Sequence, residues 1–368
     1  MNFLKMFGAS MLAWIVGIVG IFVFAIGSLV SSLLNMNMGE VGIKEESVLY
    51  ISIGEPITDA PSSSPLSGFD PMSMSVTESL PLLKVLSAIE QAASDDNIKG
   101  ICIYTDGGAA ISTASIEELR NALNRFKQSG KFIVAYDYDY SQTDYYIASV
   151  ADKIVINPEG SLDWYGCATT LMFYKGAFDK LGIGVEIFRP SSCKYKSAVE
   201  PFFLTKMSEA NRQQMESLAE DMWTTICEDV AAQRNVDPAE LKALAARLSV
   251  NTPEEAKKYG LINEIEYEDG LYKYLEEMGV KSNRRGELHK ISLGEYANNL
   301  TVVNPQMAGN QNVGIIYADG QIVDGNEVGS GYIFGNSLAQ QIREARLDSS
   351  VKSVVVRVNS PGGSALAS

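Results

Sequence analysis

The chain has 368 residues, enough for two domains, with 46% hydrophobic and 20% charged residues. Apart from the first forty positions, this balance is that of an ordinary globular protein. Its formal net charge of −15 argues against a nucleic-acid partner, because phosphate binding requires a basic face. The single histidine, His289, excludes multi-histidine metal sites and is the one candidate base for a Ser-His-Asp triad.

The four cysteines are scattered through the chain without Cys-x-x-Cys spacing. This pattern argues against a zinc site and against a dense disulfide framework. We expect them to be small buried hydrophobic residues, and we predict neither a metal nor a cofactor. They are Cys102, Cys167, Cys193 and Cys227.

The N-terminus is dominated by one long apolar stretch, with no charged residue from Met6 to Gly39. About 20 such residues cross a bilayer, so residues 1–40 are predicted to be a transmembrane signal anchor that contacts lipid through residues 7–34. Because Lys5 precedes the stretch and acidic residues follow it, the soluble part should lie on the periplasmic side of the inner membrane. A cleaved signal peptide is the alternative, although its apolar region would be shorter.

Strands and helices alternate after the anchor, which predicts parallel βαβ units. A helix with an apolar face runs from Leu82 to Ala92, and a second one, opened by a capping box at Ser115–Glu118, turns Leu119, Leu123 and Phe126 inward. The predicted strands are Val48–Ile53, Ile98–Tyr104, Phe132–Ala135 and Lys153–Ile156.

The middle of the chain continues with a strand at Val185–Phe188 and a long amphipathic helix at Ser208–Val236. The inward side chains of that helix are predicted to be Met215, Leu218, Met222, Ile226 and Val230. Two shorter helices follow, Pro238–Leu248 and one that is capped by Thr252 and ends at Gly260.

The chain contains a degenerate repeat. Val48–Asp59 matches Val313–Asp324, and Ile89–Lys99 matches Ile342–Lys352 in the same order. Repetition of this kind predicts a duplicated α/β unit, with chance similarity between two βαβ units as the alternative. We predict a first domain at 47–278, a polar linker at 279–311 and the start of a second domain at 312–368.

A lysine lies among apolar residues in the segment Lys194–Phe203. Burial of an ammonium among apolar side chains disfavours its charged form and lets a lysine act as a base near neutral pH. Lys196 is therefore a candidate, but lysines near aromatic rings usually extend to water, and the residues alone leave both interpretations open.

A turn-forming cluster, Asn359–Gly363, follows the β-branched strand Val354–Val358. Such a turn presents backbone N–H groups at the carboxyl end of a parallel sheet, where α/β folds bind ligands. Glycine permits the close approach that an oxyanion hole requires. An ordinary turn between a strand and a helix is the alternative.

Together, the apolar N-terminus, the degenerate first domain, Tyr195–Phe202 and Val358–Ser364 resemble the signal peptide peptidase A family, of the membrane-anchored protease IV type. The resemblance implies an α/β fold of tandem Clp/crotonase-like βαβ domains, the second incomplete, after an N-terminal transmembrane helix. It also implies that Lys196 is the general base of a Ser/Lys dyad and that Gly362 or Gly363 contributes to the oxyanion hole.

In this family the nucleophilic serine lies one helix and one strand after the glycine turn, so we expect it beyond Ser368. Ser364 and Ser368 follow the turn directly and are poor substitutes. In the first domain Gln142 stands at the equivalent position, and Thr105–Gly108 replaces the Asn-Ser-Pro-Gly-Gly turn. The first half should therefore supply the base, and the second half the oxyanion hole and the nucleophile.

The resemblance implies a membrane-bound serine endopeptidase that degrades signal peptides and other apolar peptides outside the cytoplasm, as a homo-oligomer and without a cofactor. The 368-residue chain alone would then be inactive. One alternative is an inactive fragment or scaffold that lacks the nucleophile. A crotonase-like acyl-CoA enzyme is less favoured, because the anchor, the outward topology and the acidic surface do not suit a cytosolic CoA ester.

Overall fold

A computed structural model of the chain describes residues 43–52, 54, 56–61, 69–70, 75–76, 79–105, 111–190, 192–300, 312–327 and 331–368, and eight residues before Gly39. The chain divides into two compact units, Met1–Ile43 and Lys44–Ser368.

The anchor predicted at residues 7–34 belongs to the first unit, and most of it lies outside the described residues. The described positions there, such as Trp14 and Phe24, are helical and exposed. In the part of the chain that the structure describes, no helix is long and apolar enough to span a membrane.

The second unit is an α/β structure. Its strands are β1 (Ser47–Ser52), β2 (Ile57–Thr58), β3 (Phe69–Asp70), β4 (Ser75–Val76), β5 (Leu80–Pro81), β6 (Ile98–Tyr104), β7 (Phe132–Tyr140), β8 (Lys153–Leu162), β9 (Glu264–Ile265), β10 (Lys290–Ser292), β11 (Asn312–Asp319), β12 (Gln321–Val323), β13 (Tyr332–Phe334) and β14 (Val351–Asn359). Its helices are α1 (Leu82–Ser94), α2 (Thr113–Lys127), α3 (Gln142–Ala148), α4 (Lys175–Leu181), α5 (Glu200–Phe203), α6 (Glu209–Arg234), α7 (Pro238–Ala246), α8 (Pro253–Lys258), α9 (Glu268–Glu277), α10 (Leu293–Asn299) and α11 (Gly335–Leu347).

A six-stranded sheet forms the centre of the first half, by which we mean residues 44–300. All neighbouring strands in it are parallel, in the order β10-β1-β6-β7-β8-β9. Helix α9 covers one face through Leu271 and Leu275, which pack with Val48 and Cys102. The alternate residues of the same strands are also buried, which explains why these strands read as continuous apolar runs rather than as alternating ones.

The predicted apolar faces of the first two helices are confirmed. Val85 and Ile89 of α1 are fully buried, as are Leu119 and Leu123 of α2. The start of α2 differs from the prediction, because Ser112 rather than Ser115 caps the helix. Its side chain accepts a hydrogen bond from the Ser115 N–H at 3.2 Å, so the helix begins one turn earlier than the capping-box pattern indicated.

Two predictions in the middle of the chain are wrong. Val185–Phe188 forms no strand, and Phe188 is 90% exposed, because no neighbouring strand pairs with this segment among the described residues. In α6, Leu218 is exposed rather than inward, and the buried residues lie at the two ends of the helix, Asn211 near its start and Cys227 and Val230 near its end.

Part of the predicted linker belongs to the sheet. Strand β10 pairs in parallel with β1, with Leu49 opposite Ile291, and a capping box between Ser292 and Glu295 opens α10. Ile291 is buried. A three-residue edge strand carries too short a pattern to be recognised from hydrophobic periodicity alone.

The second half, by which we mean residues 312–368, repeats the strand pairing of the first half. β1 pairs with β6 from Ser47 opposite Ile98, and β11 pairs with β14 from Asn312 opposite Val351, at the positions that the sequence repeat matches. Both pairings shift register after this first pair. Helices α1 and α11 are both 13 residues long.

Arg357 on β14 joins the two halves. Its Nη2 donates to Asp59 Oδ1 at 3.0 Å, and its Nη1 donates to Glu118 Oε1 at 2.8 Å. The Ser115 hydroxyl donates to the same Asp59 oxygen at 3.1 Å. Beside this ion-pair cluster lies a cleft of about 360 Å³, whose apolar wall includes Leu83 and Val355.

Candidate active site

Lys196 lies in the irregular segment that precedes α5. Its N–H donates to the Cys193 carbonyl at 3.1 Å, and its own carbonyl accepts a hydrogen bond from Arg189 Nη1 at 2.9 Å. The side chain is exposed rather than buried among apolar neighbours. It makes no hydrogen bond or ion pair with any described residue, so the amine is available to a substrate or to another catalytic group.

An apolar surface accompanies this segment. The rings of Tyr174, Phe178 and Phe202 stack on one another, with centroids 5.9 Å to 6.3 Å apart. Tyr174 and Phe202 are about 40% exposed, so the stack has an open side. Phe202 belongs to α5, the helix that directly follows the Lys196 segment in the chain.

Glu200 is a site residue that sequence reasoning missed. Its carboxylate is 1% exposed and accepts hydrogen bonds from the Ser208 hydroxyl at 2.6 Å and from Asn211 Nδ2 at 3.0 Å. Burial alone would raise the pKa of Glu200, but the bonds from Ser208 and Asn211 and the charge of Arg189 hold that pKa below its usual value. The one signal in the sequence is an acid at the start of a helix, followed by proline.

The glycine turn needs glycine at two positions for two different reasons. Gly362 has a φ of +96°, in the left-handed region that other residues rarely adopt. A Cβ atom at Gly363 would lie 2.0 Å from the carbonyl oxygen of Ile322. The turn is held against β12, because the Ile322 N–H donates to the Gly362 carbonyl at 3.0 Å and the Ser364 N–H donates to the Ile322 carbonyl at 2.9 Å.

The two candidate oxyanion donors are not equivalent. The Gly362 N–H already donates to the Ser360 hydroxyl at 3.1 Å. The Gly363 N–H makes no hydrogen bond within the described part of the chain. An oxyanion hole requires donors that are fixed in position and unoccupied, so Gly363 fits that role better than Gly362.

Ser364 and Ser368 have structural partners. The Ser364 hydroxyl donates to the Asp324 carboxylate at 3.0 Å and accepts a hydrogen bond from the Ala367 N–H at 3.3 Å. The Ser368 hydroxyl donates to the Ser364 carbonyl at 3.0 Å. Among the described residues, neither hydroxyl has a lysine or histidine side chain as its partner, which an activated serine requires.

The equivalent positions of the first half are closed by internal hydrogen bonds. Gln142 Oε1 accepts from the Gly166 N–H at 2.8 Å and the Tyr165 N–H at 3.2 Å. At the end of β6, the N–H and the hydroxyl of Thr105 both donate to the buried carboxylate of Asp137. The predicted Asp106–Gly108 part of this turn lies outside the described residues.

The structure places the base and the glycine turn in different halves. Among the described residues, no hydrogen bond, ion pair or ring contact joins the segment around Lys196 to Gly362 or Gly363. Lys196 lies between α4 and α5 in the first half, and the glycine turn follows β14 in the second half. The two candidate parts of the site therefore lie in different halves of the chain.

The cysteines form no disulfide, and two of the four fit the prediction of burial. Cys102 and Cys227 are buried, whereas Cys167 is exposed and Cys193 is half-buried. Burial raises the pKa of Cys102 and of Cys227 to about 12, which leaves both thiols inert as nucleophiles. Within the described ranges, no group of three or more histidine, cysteine or acidic side chains could hold a metal ion.

Comparison with known proteins gives relatives for most of the chain. It is 35% identical to Protease 4 of Salmonella typhi over 294 residues, which cover 78% of this chain and 46% of that protein. It is 33% identical to Protease 4 of Haemophilus influenzae, and that alignment covers 77% of this chain and 47% of that protein. The chain thus spans about half the length of these two relatives. The chloroplastic serine protease SPPA of Arabidopsis thaliana is 28% identical, and the alignment covers 76% of this chain and 41% of that protein.

Solved structures and a family model also match. Two mutants of the 1510-N membrane-bound stomatin-specific protease, one with a substrate peptide, align at TM-scores of 0.34 and 0.32. They are 15% and 16% identical, and the alignments cover 62% of this chain and 84% and 80% of theirs. The model of Peptidase family S49 matches residues 125–282, which include Lys196. This chain therefore carries a Peptidase family S49 domain.

Proposed function

We propose that this chain belongs to a serine-type endopeptidase that uses a Ser/Lys dyad. The observation that carries the proposal is that the family S49 match at residues 125–282 contains Lys196. In the structure the Lys196 side chain is exposed and its backbone is held at both polar groups. Lys196 is the general base, and the N–H of Gly363 is one donor of the oxyanion hole.

The chemistry follows from these two groups. A serine hydroxyl attacks the scissile carbonyl carbon while the unprotonated amine of Lys196 accepts its proton. The negative charge that develops on the carbonyl oxygen is stabilised by the Gly363 N–H. Lys196 then returns the proton to the leaving amine, and water hydrolyses the acyl ester by the same steps. No histidine is needed, because lysine fills its role.

The nucleophile in this proposal is a serine outside the 368 residues of this chain. Gln142 stands at the equivalent position of the first half, and the Ser364 and Ser368 hydroxyls bond to Asp324 and to a backbone carbonyl. The common register of the β1–β6 and β11–β14 pairs supports tandem domains, of which the second completes the active site.

We further propose that the substrates are signal peptides and other apolar peptides. The open stack of Tyr174, Phe178 and Phe202, of which Phe202 belongs to the helix that follows the Lys196 segment, supports an apolar substrate. The absence of charge from Met6 to Gly39 supports a single-pass anchor in the inner membrane, with catalysis on the extracytoplasmic side. The enzyme is proposed to be a homo-oligomer.

The test is Lys196→Ala in the full-length natural protein, assayed on apolar peptide esters. Removal of a general base typically costs about 10²- to 10⁴-fold in rate, so we expect kcat to fall by at least about 100-fold. Lys194→Ala is the matched control, because Lys194 is an exposed neighbour whose ammonium contacts only the Tyr195 ring among the described residues. Unchanged turnover in Lys196→Ala would disprove the dyad.

A further inference from the structure

A charged network lies under the segment that carries Lys196. Its centre is the carboxylate of Glu200, which is 1% exposed. Three donors surround it: the Ser208 hydroxyl at 2.6 Å, Asn211 Nδ2 at 3.0 Å and the Ser208 N–H at 3.2 Å. Two of these donors come from Ser208, which caps helix α6, so the carboxylate is fixed to the start of the longest described helix.

One side chain connects this carboxylate to the candidate base. Arg189 Nη1 lies 3.8 Å from Glu200 Oε1 and donates to the carbonyl oxygen of Lys196 at 2.9 Å. The Lys196 N–H is held separately by the Cys193 carbonyl at 3.1 Å. Both backbone polar groups of Lys196 are therefore bonded, while its amine stays exposed.

Packing alone does not explain such a network. Burial of a carboxylate carries a desolvation cost, and a buried ion pair is often no more stabilising than apolar residues of similar size. What the network does provide is geometry. Hydrogen bonds from Ser208 and Asn211 fix the Glu200 carboxylate, and its charge attracts the Arg189 guanidinium, which lies 3.8 Å away. The group whose position it fixes is the peptide of Lys196.

We propose that Glu200 acts through Arg189 as a positioning residue for Lys196. This inference rests on the proposed function of Lys196 as the general base. A general base must lie within about 2.6–3.2 Å of the atom whose proton it takes, and a misplacement of about 1 Å can cost about 100-fold in rate. Without the charge of Glu200, Arg189 has no ionic partner among the described residues and releases the Lys196 carbonyl.

The main test is Glu200→Gln in the full-length natural protein, with hydrolysis of an apolar peptide ester as the readout. This change removes the charge at nearly constant size. We expect kcat to fall about 10- to 100-fold while KM stays within about twofold, because substrate contacts are untouched. Arg189→Gln should lower kcat to a similar extent and also leave KM nearly unchanged. Arg189→Lys, which keeps a cationic donor, should recover most of the lost kcat.

Glu216→Gln is the matched control. Glu216 lies on α6, the same helix that Glu200 contacts, but it is exposed and pairs only with Arg212 among the described residues, at 3.4 Å. We expect its kcat and KM to match the wild type. Circular dichroism at the assay temperature checks that each variant is folded, so that a loss of kcat reports position rather than unfolding.

Several outcomes would overturn the positioning role. One is a kcat of folded Glu200→Gln within twofold of the wild type. Another is an Arg189→Lys variant as impaired as Arg189→Gln, which would indicate general packing. If Glu200→Gln does not fold, the two Arg189 variants decide the question, because the Arg189 side chain is 30% exposed. Full turnover in Lys196→Ala would instead remove the proposed function, whereas loss there with normal turnover in Glu200→Gln removes only the role of Glu200.

Discussion

The two halves of the chain share a strand pairing but differ in the residues at its carboxyl end. After β6, the N–H and the hydroxyl of Thr105 donate to Asp137. Gln142, at the position where a serine would be expected, accepts hydrogen bonds from two backbone N–H groups. After β14, the turn at Gly362–Gly363 leaves the Gly363 N–H without a partner among the described residues. The same backbone pairing thus supports two chemical outcomes. At this position a side chain accepts the available donors in the first half, whereas glycine leaves one donor open in the second half.

The largest expected effect comes from filling the space at Gly363. In Gly363→Ala the Cβ would meet the Ile322 carbonyl oxygen at 2.0 Å, so β12 and the turn must separate. We expect a loss of about 3–4 kcal/mol in the free energy of unfolding, measured by urea denaturation.

Two controls divide that effect into its causes. Gly362→Ala adds no clash but strains a φ of +96°, and should cost about 1–2 kcal/mol. Gly176→Ala, in an ordinary helical conformation with open space around it, should not destabilise the protein. A Gly363→Ala variant as stable as the wild type would show that β12 does not confine the turn.

The stability of the protein should depend on pH through Asp137, the residue in the first half that accepts the Thr105 donors. Burial raises the pKa of Asp137 from its ordinary 3.8 to about 6. Because the folded protein then holds this proton more tightly than the unfolded chain, the stabilisation is complete below about pH 4 and is lost as the pH rises through about 6. The expected change is about 2 kcal/mol, measured by urea denaturation across this pH range.

Asp137→Asn is the variant that isolates the contribution of this carboxyl group. In this variant the free energy of unfolding should no longer fall by the Asp137 contribution between about pH 4 and 6, whatever the absolute stability of the variant. Parallel pH curves for the two proteins would contradict the assignment. Asp139→Asn serves as the control, because Asp139 lies on the same strand but is exposed.

The smallest effect is expected at Gln142. Gln142→Ser removes a side chain that bonds to the backbone of Tyr165 and Gly166, and should cost about 1 kcal/mol in the free energy of unfolding. It should not create a reactive serine, because the N–H and hydroxyl of Thr105, at the end of β6, already donate to Asp137. A fluorophosphonate probe should leave position 142 unlabelled, as judged by mass spectrometry.

The companion variant Gln142→Glu keeps the oxygen that accepts both backbone N–H groups. We expect it to lose less stability than Gln142→Ser. Labelling at position 142 in the serine variant would show that the two halves differ by one residue, and not by the whole arrangement of donors.

Hydrophobic patterning is sufficient to predict the four longer strands of the central sheet, β1, β6, β7 and β8, and the helices α1 and α2, but not the short edge strands β9 and β10. The apolar faces of α1 and α2 follow from their 3.6-residue period, and buried parallel strands such as β6 follow from continuous apolar runs. The strand expected at Val185–Phe188 has a similar local composition, but it lacks a partner strand among the described residues. Strand formation depends on pairing with distant residues, which a local pattern does not report.

The sequence identifies candidate residues for the site but not the contacts between them. Lys196 and the glycine turn were found from their sequence motifs, yet the choice between the Gly362 and Gly363 N–H groups depends on where the Ser360 hydroxyl points. The burial of Glu200 and its hydrogen bonds depend on the start of α6, several residues later in the chain. Such relations arise from tertiary packing and have no local signature.

The ion-pair cluster around Arg357 has a consequence for how the protein is made. Arg357 is 298 residues from Asp59 and 239 residues from Glu118 along the chain. A domain folds largely as its residues leave the ribosome, and contacts between distant residues form late. We expect the first half to fold with these two carboxylates facing water, so that newly made chains carry an uncompensated acidic patch until β14 has been synthesised and docks.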